Sequence, residues 1–275
     1  MPVSLIAVDI DRTLLDDNRN IPGENREALD RARSSGIGIA LCSGRDLPST
    51  LAISEPMGIP CWLVIQNGSL VIDPDGTPVL ISPMPGETVR GVLDVLERYS
   101  LAPVIYDLYP NARRFWWQIG AQAAPGMLKF RTDHGGEVIE VEDIRAAVTG
   151  QVSHLEVYDE ADRVLGAVSE LESNPNVVAI SNMSASMPGN ALMGIYPAGA
   201  SKENALEIVV ERLGITAADV LAIGDNLNDV GMVRWAGTGV MMANGPEEAR
   251  KSADWIAPSN NDNGVARAIE RFVKI

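Results

Sequence analysis

Two aspartates two positions apart close the first apolar run of this 275-residue chain: Leu5-Ile6-Ala7-Val8 leads into Asp9-Ile10-Asp11-Arg12-Thr13. Carboxylates rarely belong in a strand buried on both faces, so that strand is predicted to end at Asp9. A second run, Gly38 to Cys42, ends at Ser43-Gly44-Arg45, and a third, Val220 to Ile223, ends at Gly224-Asp225-Asn226-Leu227-Asn228-Asp229. In open α/β sheets ligands gather at the carboxyl ends of parallel strands. If these strands are neighbours, four carboxylates meet at one sheet edge. Like charges that close are costly, so either some stay protonated or a cation lies among them. An all-oxygen set rich in carboxylates suits Mg²⁺, which favours phosphate-bearing substrates. The bland alternative is a strand end and a capped turn, and a lone DxDxT leaves the two readings even.

Lys202 tips the balance. Ser201 is a good N-cap, which places Lys202 in a first helical turn, where the helix dipole disfavours a cation. A residue that breaks a local rule is a functional candidate, and an anion at that helix start would meet both the lysine and free N–H groups. These are the parts for phosphoryl transfer to a carboxylate. One Asp attacks phosphorus, another serves as general acid and then base, and Mg²⁺, Lys and a hydroxyl neutralise the equatorial oxygens.

The elements that must position these groups follow a βα rhythm. A helix begins at about Gly23 with Ala28, Leu29 and Ala32 as its apolar stripe, and Cys61 to Ile65 is a further strand before Gln66-Asn67-Gly68. Ser69–Ile72 and Pro78–Ile81 read as a hairpin. The rhythm resumes with a helix Lys202–Leu213, the Val220 strand, a short helix, the strand Gly239–Met242, a helix from Pro246, the strand Trp255–Ala257 and a helix from Gly264. Between them strands and helices mix without that order. The expected fold is α/β, a doubly wound, mostly parallel sheet with a Rossmann-like core over 1–83 and 196–275, and an inserted α+β cap domain over 84–195.

The order DxDxT, strand-SGR, Lys at a helix start and GDNxND resembles the haloacid dehalogenase superfamily of phosphatases. The insertion between Ser43 and Lys202, and the tail Gly239-Val240-Met241-Met242-Ala243-Asn244-Gly245, are similar to its Cof-type, class IIB branch. The resemblance implies Asp9 as nucleophile and Asp11 as acid/base. It implies Mg²⁺ on Asp9, Asp225 and the Asp11 carbonyl with Asp229 in support, and phosphate contacts from Ser43, Lys202 and Asn228. Thr13, Gly44 and Arg45 would support the site, Arg45 through a salt bridge or by bracing the Ser43 loop rather than by touching phosphate. Arg12 departs from the pattern, which has glycine there. The resemblance further implies hydrolysis of small phosphorylated metabolites, sugar phosphates first, under a cap that opens and closes. The rivals are a phosphomutase or narrow-specificity phosphatase (phosphomannomutase-like or phosphoglycolate phosphatase-like) and a non-catalytic phosphate-binding protein.

Composition sets the outer limits. The formal charge of −15 argues against nucleic acid or an anionic membrane as partner. Cys42 and Cys61 form no CxxC pair and read as free thiols of a reducing, cytoplasmic setting. No signal peptide and no membrane span is expected, and the protein is expected to be a monomer or homodimer. His134 and His154 are too few for a zinc site and are read as a loop and a strand residue. Phe115-Trp116-Trp117, beside Arg113-Arg114, would line a substrate pocket or, more commonly, fill the cap core.

Overall fold

The computed structural model of the chain describes residues 3–121, 137–184 and 187–274; His134 lies outside them. The chain divides into two compact units, one of Met1–Arg45, Thr50–Leu80 and Ser201–Ile275, the other of Asp46–Ser49 and Ile81–Ala200.

The first unit is built on eight strands: β1 (Leu5–Asp9), β2 (Gly38–Cys42), β3 (Trp62–Ile65), β4 (Leu70–Ile72), β5 (Pro78–Ile81), β12 (Val220–Gly224), β13 (Thr238–Met242) and β14 (Trp255–Ala257). Their order is β14-β13-β12-β1-β2-β3-β4-β5. All pairs from β14 to β3 are parallel, and β4 turns back antiparallel on β3. A parallel strand in mid-sheet is covered on both faces, and all five β1 residues are buried. Each fully buried Leu, Ile or Val contributes about 1.5–3 kcal/mol over an exposed one. The helix Lys202–Leu213 lays Ala205, Leu206, Val209 and Val210 on Leu5, Ala7, Ala40, Val64 and Ala222. The helices Gly23–Ser34 and Gly264–Phe272 pack on each other, and against β2 and β12 respectively. One helix, Leu47–Met57, has no clear signal in the sequence: Pro48 sits in its first turn, where the ring costs little, but Pro56 lies inside its last turn, and both prolines read as breakers.

The second unit carries β6 (Val104–Tyr106), β7 (Arg114–Gln118), β8 (Glu137–Val141), β9 (His154–Glu160), β10 (Val177–Met183) and β11 (Asn190–Pro197) in the order β10-β11-β9-β6-β7-β8. It is an α+β sheet, antiparallel except for β7 with β8. The helices Gly86–Arg98 and Ala161–Leu171 bury Val92, Leu96, Val164 and Leu171 against Ile105, Leu155, Val157 and Ile195 on one face. Alternation along the strands sends Val104, Tyr106, Phe115 and Trp117 to the other face, where they pack together, while Trp116 turns to the helix side. His154 is a strand residue, wholly buried, stacked on Tyr106 at 4.2 Å between ring centroids, and Tyr106 OH donates to Glu156 Oε2 at 2.8 Å. Among the described residues no helix is long and apolar enough to cross a membrane.

Candidate active site

Three parallel strand ends assemble the site. The register sets Val8 of β1 against Ile223 of β12 and Asp9 against Cys42 of β2, so Asp9 has Asp225 following one neighbouring strand and Ser43 following the other. After Asp9 the chain makes a wide turn, Ile10–Leu14, closed by the Leu15 N–H donating to the Ile10 carbonyl at 2.9 Å. Thr13 is fully buried in that turn and donates its hydroxyl to Asp225 Oδ1 at 3.2 Å. After β12 the turn through Asn226 and Asn228 folds Asp229 back, and its Oδ2 accepts from the N–H groups of Asp225 and Asn226, each at 3.0 Å. Gly224 makes this possible, because a Cβ there would lie 2.4–2.8 Å from the Asp229 side chain. Oxygens of Asp9, Asp225 and Asp229 lie within 4.8 Å of one another.

Lys202 is the cation among them. It has no exposed surface, and Nζ donates to Asp9 Oδ1 at 2.6 Å and to Asp229 Oδ1 at 2.5 Å. The helix that carries it is capped as expected, Ser201 Oγ accepting from the Asn204 N–H at 3.2 Å. Burial opposes the ammonium charge, but Asp229 and Asp9 outweigh it and raise the lysine's pKa. The same burial, with Asp229 beside it, holds Asp9 well above the usual carboxylate range despite Lys202. Asp225 is pushed up to about 7 by burial and Asp229, against the pull of Arg12, the Thr13 hydroxyl and Lys202. Carboxylates this reluctant to ionise, all offering oxygen, fit a hard divalent cation that would supply the missing positive charge.

Asp11 points elsewhere. Its side chain is 54% exposed, and Arg45 grips it with two bonds, Nε to Oδ2 and Nη2 to Oδ1, each 2.7 Å. Crowding around Asp11 favours protonation, but the Arg45 hydrogen bonds and charge override it and hold the carboxyl below its ordinary range. Ser43 is buried one residue past β2, its Oγ accepting from the Arg45 N–H at 3.2 Å, with Gly44 between them. The next loop is tied to this one: Gln66 N–H donates to the Arg45 carbonyl and Asn67 N–H to the Ser43 carbonyl, both at 3.0 Å. Gln66, Asn67 and Gly68 follow one another in the left-handed region, with φ of 52°, 53° and 89°. A Cβ on Gly68 would sit 2.1 Å from the Ser201 carbonyl oxygen, so this loop abuts the start of the Lys202 helix.

Two residues given no role in the sequence reading hold the Asp11 turn. Asn244 Nδ2 donates to the Arg12 carbonyl at 2.9 Å, and Asn260 N–H donates to Asn244 Oδ1 at 3.0 Å. Asn260, 1% exposed, also donates Nδ2 to the Leu15 carbonyl at 3.0 Å. The signal for Asn260 is the asparagine-dense stretch Asn260-Asn261-Asp262-Asn263-Gly264, more amide than a solvated loop needs, while Asn244 stands in the Ala243-Asn244-Gly245 turn after β13.

Comparison with known proteins identifies the family. A model for haloacid dehalogenase-like hydrolases matches residues 6–269. The chain is 29% identical to the 5-amino-6-(5-phospho-D-ribitylamino)uracil phosphatase YcsE of Bacillus subtilis, over 98% of this chain and 96% of that one. It is 25% identical to the phosphatase YwpJ of the same organism, over 98% of this chain and all of that one. A crystal structure of a haloacid dehalogenase-like hydrolase from Bacteroides thetaiotaomicron superposes with a TM-score of 0.81 at 26% identity, covering 98% and 99% of the two chains. With strand ends, buried lysine and paired aspartates in that family's order and its model spanning nearly all of the sequence, the chain belongs to the haloacid dehalogenase-like hydrolase family.

Proposed function

We propose that this chain is a Mg²⁺-dependent phosphatase that hydrolyses small phosphate monoesters, sugar phosphates foremost, through an aspartyl phosphate on Asp9. One observation carries the reading: the buried Lys202 ammonium lies between Asp9 and Asp229, with Asp225 beside them. Asp9, Asp225 and the Asp11 carbonyl would hold Mg²⁺, with Asp229 in support, and the ion would supply the positive charge that admits an anionic phosphoryl group among carboxylates.

Asp9 attacks phosphorus, forming an O–P bond as the ester oxygen leaves. Asp11, on the open side of the turn, protonates that oxygen, then takes a proton from the water that attacks the aspartyl phosphate. That second attack restores Asp9 and releases inorganic phosphate. Lys202, Ser43 and Asn228 bind the transferring oxygens, while Thr13 and Asp229 fix Asp225 and the turn around it. Phosphate release should be scored on a panel of phosphorylated metabolites with Mg²⁺ and with chelator. Turnover that chelator removes and Mg²⁺ restores supports the reading. Turnover retained in Asp9→Asn would overturn the nucleophile assignment.

A further inference from the structure

Arg12 sits where this turn would take glycine without strain: its φ is 61° and ψ 9°. The surroundings nevertheless hold it there. Asn244 grips its carbonyl, Asn260 holds Asn244, and the next residue, Thr13, is anchored on Asp225. The side chain at the end of this scaffold is exposed, and among the described residues its guanidinium has no ion-pair partner. Of the other cations acting on the centre, Lys202 is engaged by Asp9 and Asp229 and Arg45 by Asp11, while Arg19 acts on Asp11 through its charge. Asp17, which feels the Arg12 charge, has both carboxylate oxygens taken by the Asn260 and Asn261 amides at 3.0 and 2.8 Å. Asp225 feels it too.

We propose that Arg12 binds a second oxyanion of the substrate, a carboxylate or a phosphate carried on the leaving group, and so selects esters with two anionic ends. This rests on the phosphatase reading of the same site. Three features favour the leaving-group side over the transferring phosphoryl. The expected phosphoryl contacts Ser43 and Lys202 are buried, Arg12 is exposed, and its chain neighbour Asp11 is the group assigned to the leaving oxygen. A guanidinium presents two parallel N–H donors that match two oxygens of either anion. A left-handed backbone alone does not single Arg12 out, since exposed Arg19 has a φ of 63° in the following turn; Arg12 differs in lying between Asp11 and Thr13, with its charge felt by Asp225.

The test compares three open-chain sugar esters that differ only at carbon 1: a hexitol 6-phosphate, the matching hexonate 6-phosphate and the hexitol 1,6-bisphosphate, with release of the 6-phosphate followed in each. An aryl phosphate reports on hydrolysis itself. The wild type should prefer one or both doubly anionic esters in kcat/KM, chiefly through KM. Arg12→Gly and Arg12→Asn, both at ease in the left-handed region, should cut that preference by about ten- to a hundredfold, and Arg12→Lys should keep part of it. The ester that loses more identifies carboxylate or phosphate as the anion. A preference unchanged in Arg12→Gly, or an equal fall on all three sugars, overturns the proposal while aryl phosphate turnover leaves the phosphatase reading standing. No turnover of any of the four by the wild type overturns that reading, and the proposal with it.

Discussion

Replacing Lys202 with methionine removes the one buried cation of the centre while keeping an unbranched side chain of similar length. In the wild type Nζ is bonded to Asp9 at 2.6 Å and Asp229 at 2.5 Å, and no part of the side chain meets solvent. Without it two buried carboxylates face each other, with Asp225 alongside. Removing one partner of a buried ion pair costs about 3–5 kcal/mol, most of it the uncompensated charge left behind. Proton uptake by Asp9, already held toward its neutral form, keeps the loss near the lower end of that range. Thermal unfolding in chelator near neutral pH should then fall by roughly 10 °C. The sign with pH is definite. A carboxyl whose folded pKa is raised gives stability that is complete below its ordinary value and lost as pH rises through the raised one. The deficit of Lys202→Met should therefore shrink toward about pH 4.5, and Mg²⁺ should reduce it near neutrality. Asp9→Asn in the same chain should cost less than the two changes added separately. A deficit under about 1 kcal/mol, or one equal at both pH values, would refute the account of Lys202 as the counter-charge of this cluster.

Other perturbations read different parts of the site. With Asp9 raised and Asp225 at about 7, the metal-free protein should lose stability from this pair as pH climbs from ordinary carboxylate values toward neutrality. Melting curves with Mg²⁺ and with chelator should therefore separate as pH rises, and parallel curves would contradict the cluster as a cation site. Gly68→Ala puts a Cβ 2.1 Å from the Ser201 carbonyl, whereas Gly76→Ala, at nearly the same φ of 84° against 89°, meets nothing within 4 Å. Both carry the backbone strain, so the Gly68 variant should be less stable by a further 1–3 kcal/mol or so from overpacking. Equal melting points would remove the abutment argument. Cys42 and Cys61 are buried, burial lifting the first thiol above its usual range and the second to about 11. Neither should react with a thiol reagent until the protein unfolds, which a timed labelling experiment with and without urea would check.

What was legible in the sequence, and what was not, follows from how local each signal is. The helix Lys202–Leu213 and the strand Trp255–Ala257 have the boundaries read from their residues, because a serine cap, a following glycine and short apolar runs are local marks. The parallel core with an α+β insertion, and membership of this hydrolase family, were likewise readable from the rhythm and the order of motifs. The helix Leu47–Met57 was hidden because its prolines look like breakers and its apolar stripe is weak. Lys202 stood out as a rule-breaker in a first turn, yet nothing local names its partners 193 and 27 residues away. Arg45 reads as a salt-bridging residue or a brace for its loop, and the ion pair is there, but nothing local names Asp11, 34 residues away in the turn after another strand, as its partner. The left-handed run Gln66-Asn67-Gly68 announced only its Asn-Gly half, since glutamine seldom adopts that conformation.

The Arg45–Asp11 pair has a further consequence. Two carboxylate oxygens laid across two guanidinium N–H groups reproduce the edge that a phosphoryl group would present to the same arginine. Asp11 thus stands in as an intramolecular competitor. Any phosphorylated ligand that draws on Arg45 must displace it, and binds more weakly by whatever the displaced contact was worth. The displacement would also set free the carboxyl proposed as the acid/base group, so that arrival of the ligand and release of that group would become two sides of one exchange at a single arginine.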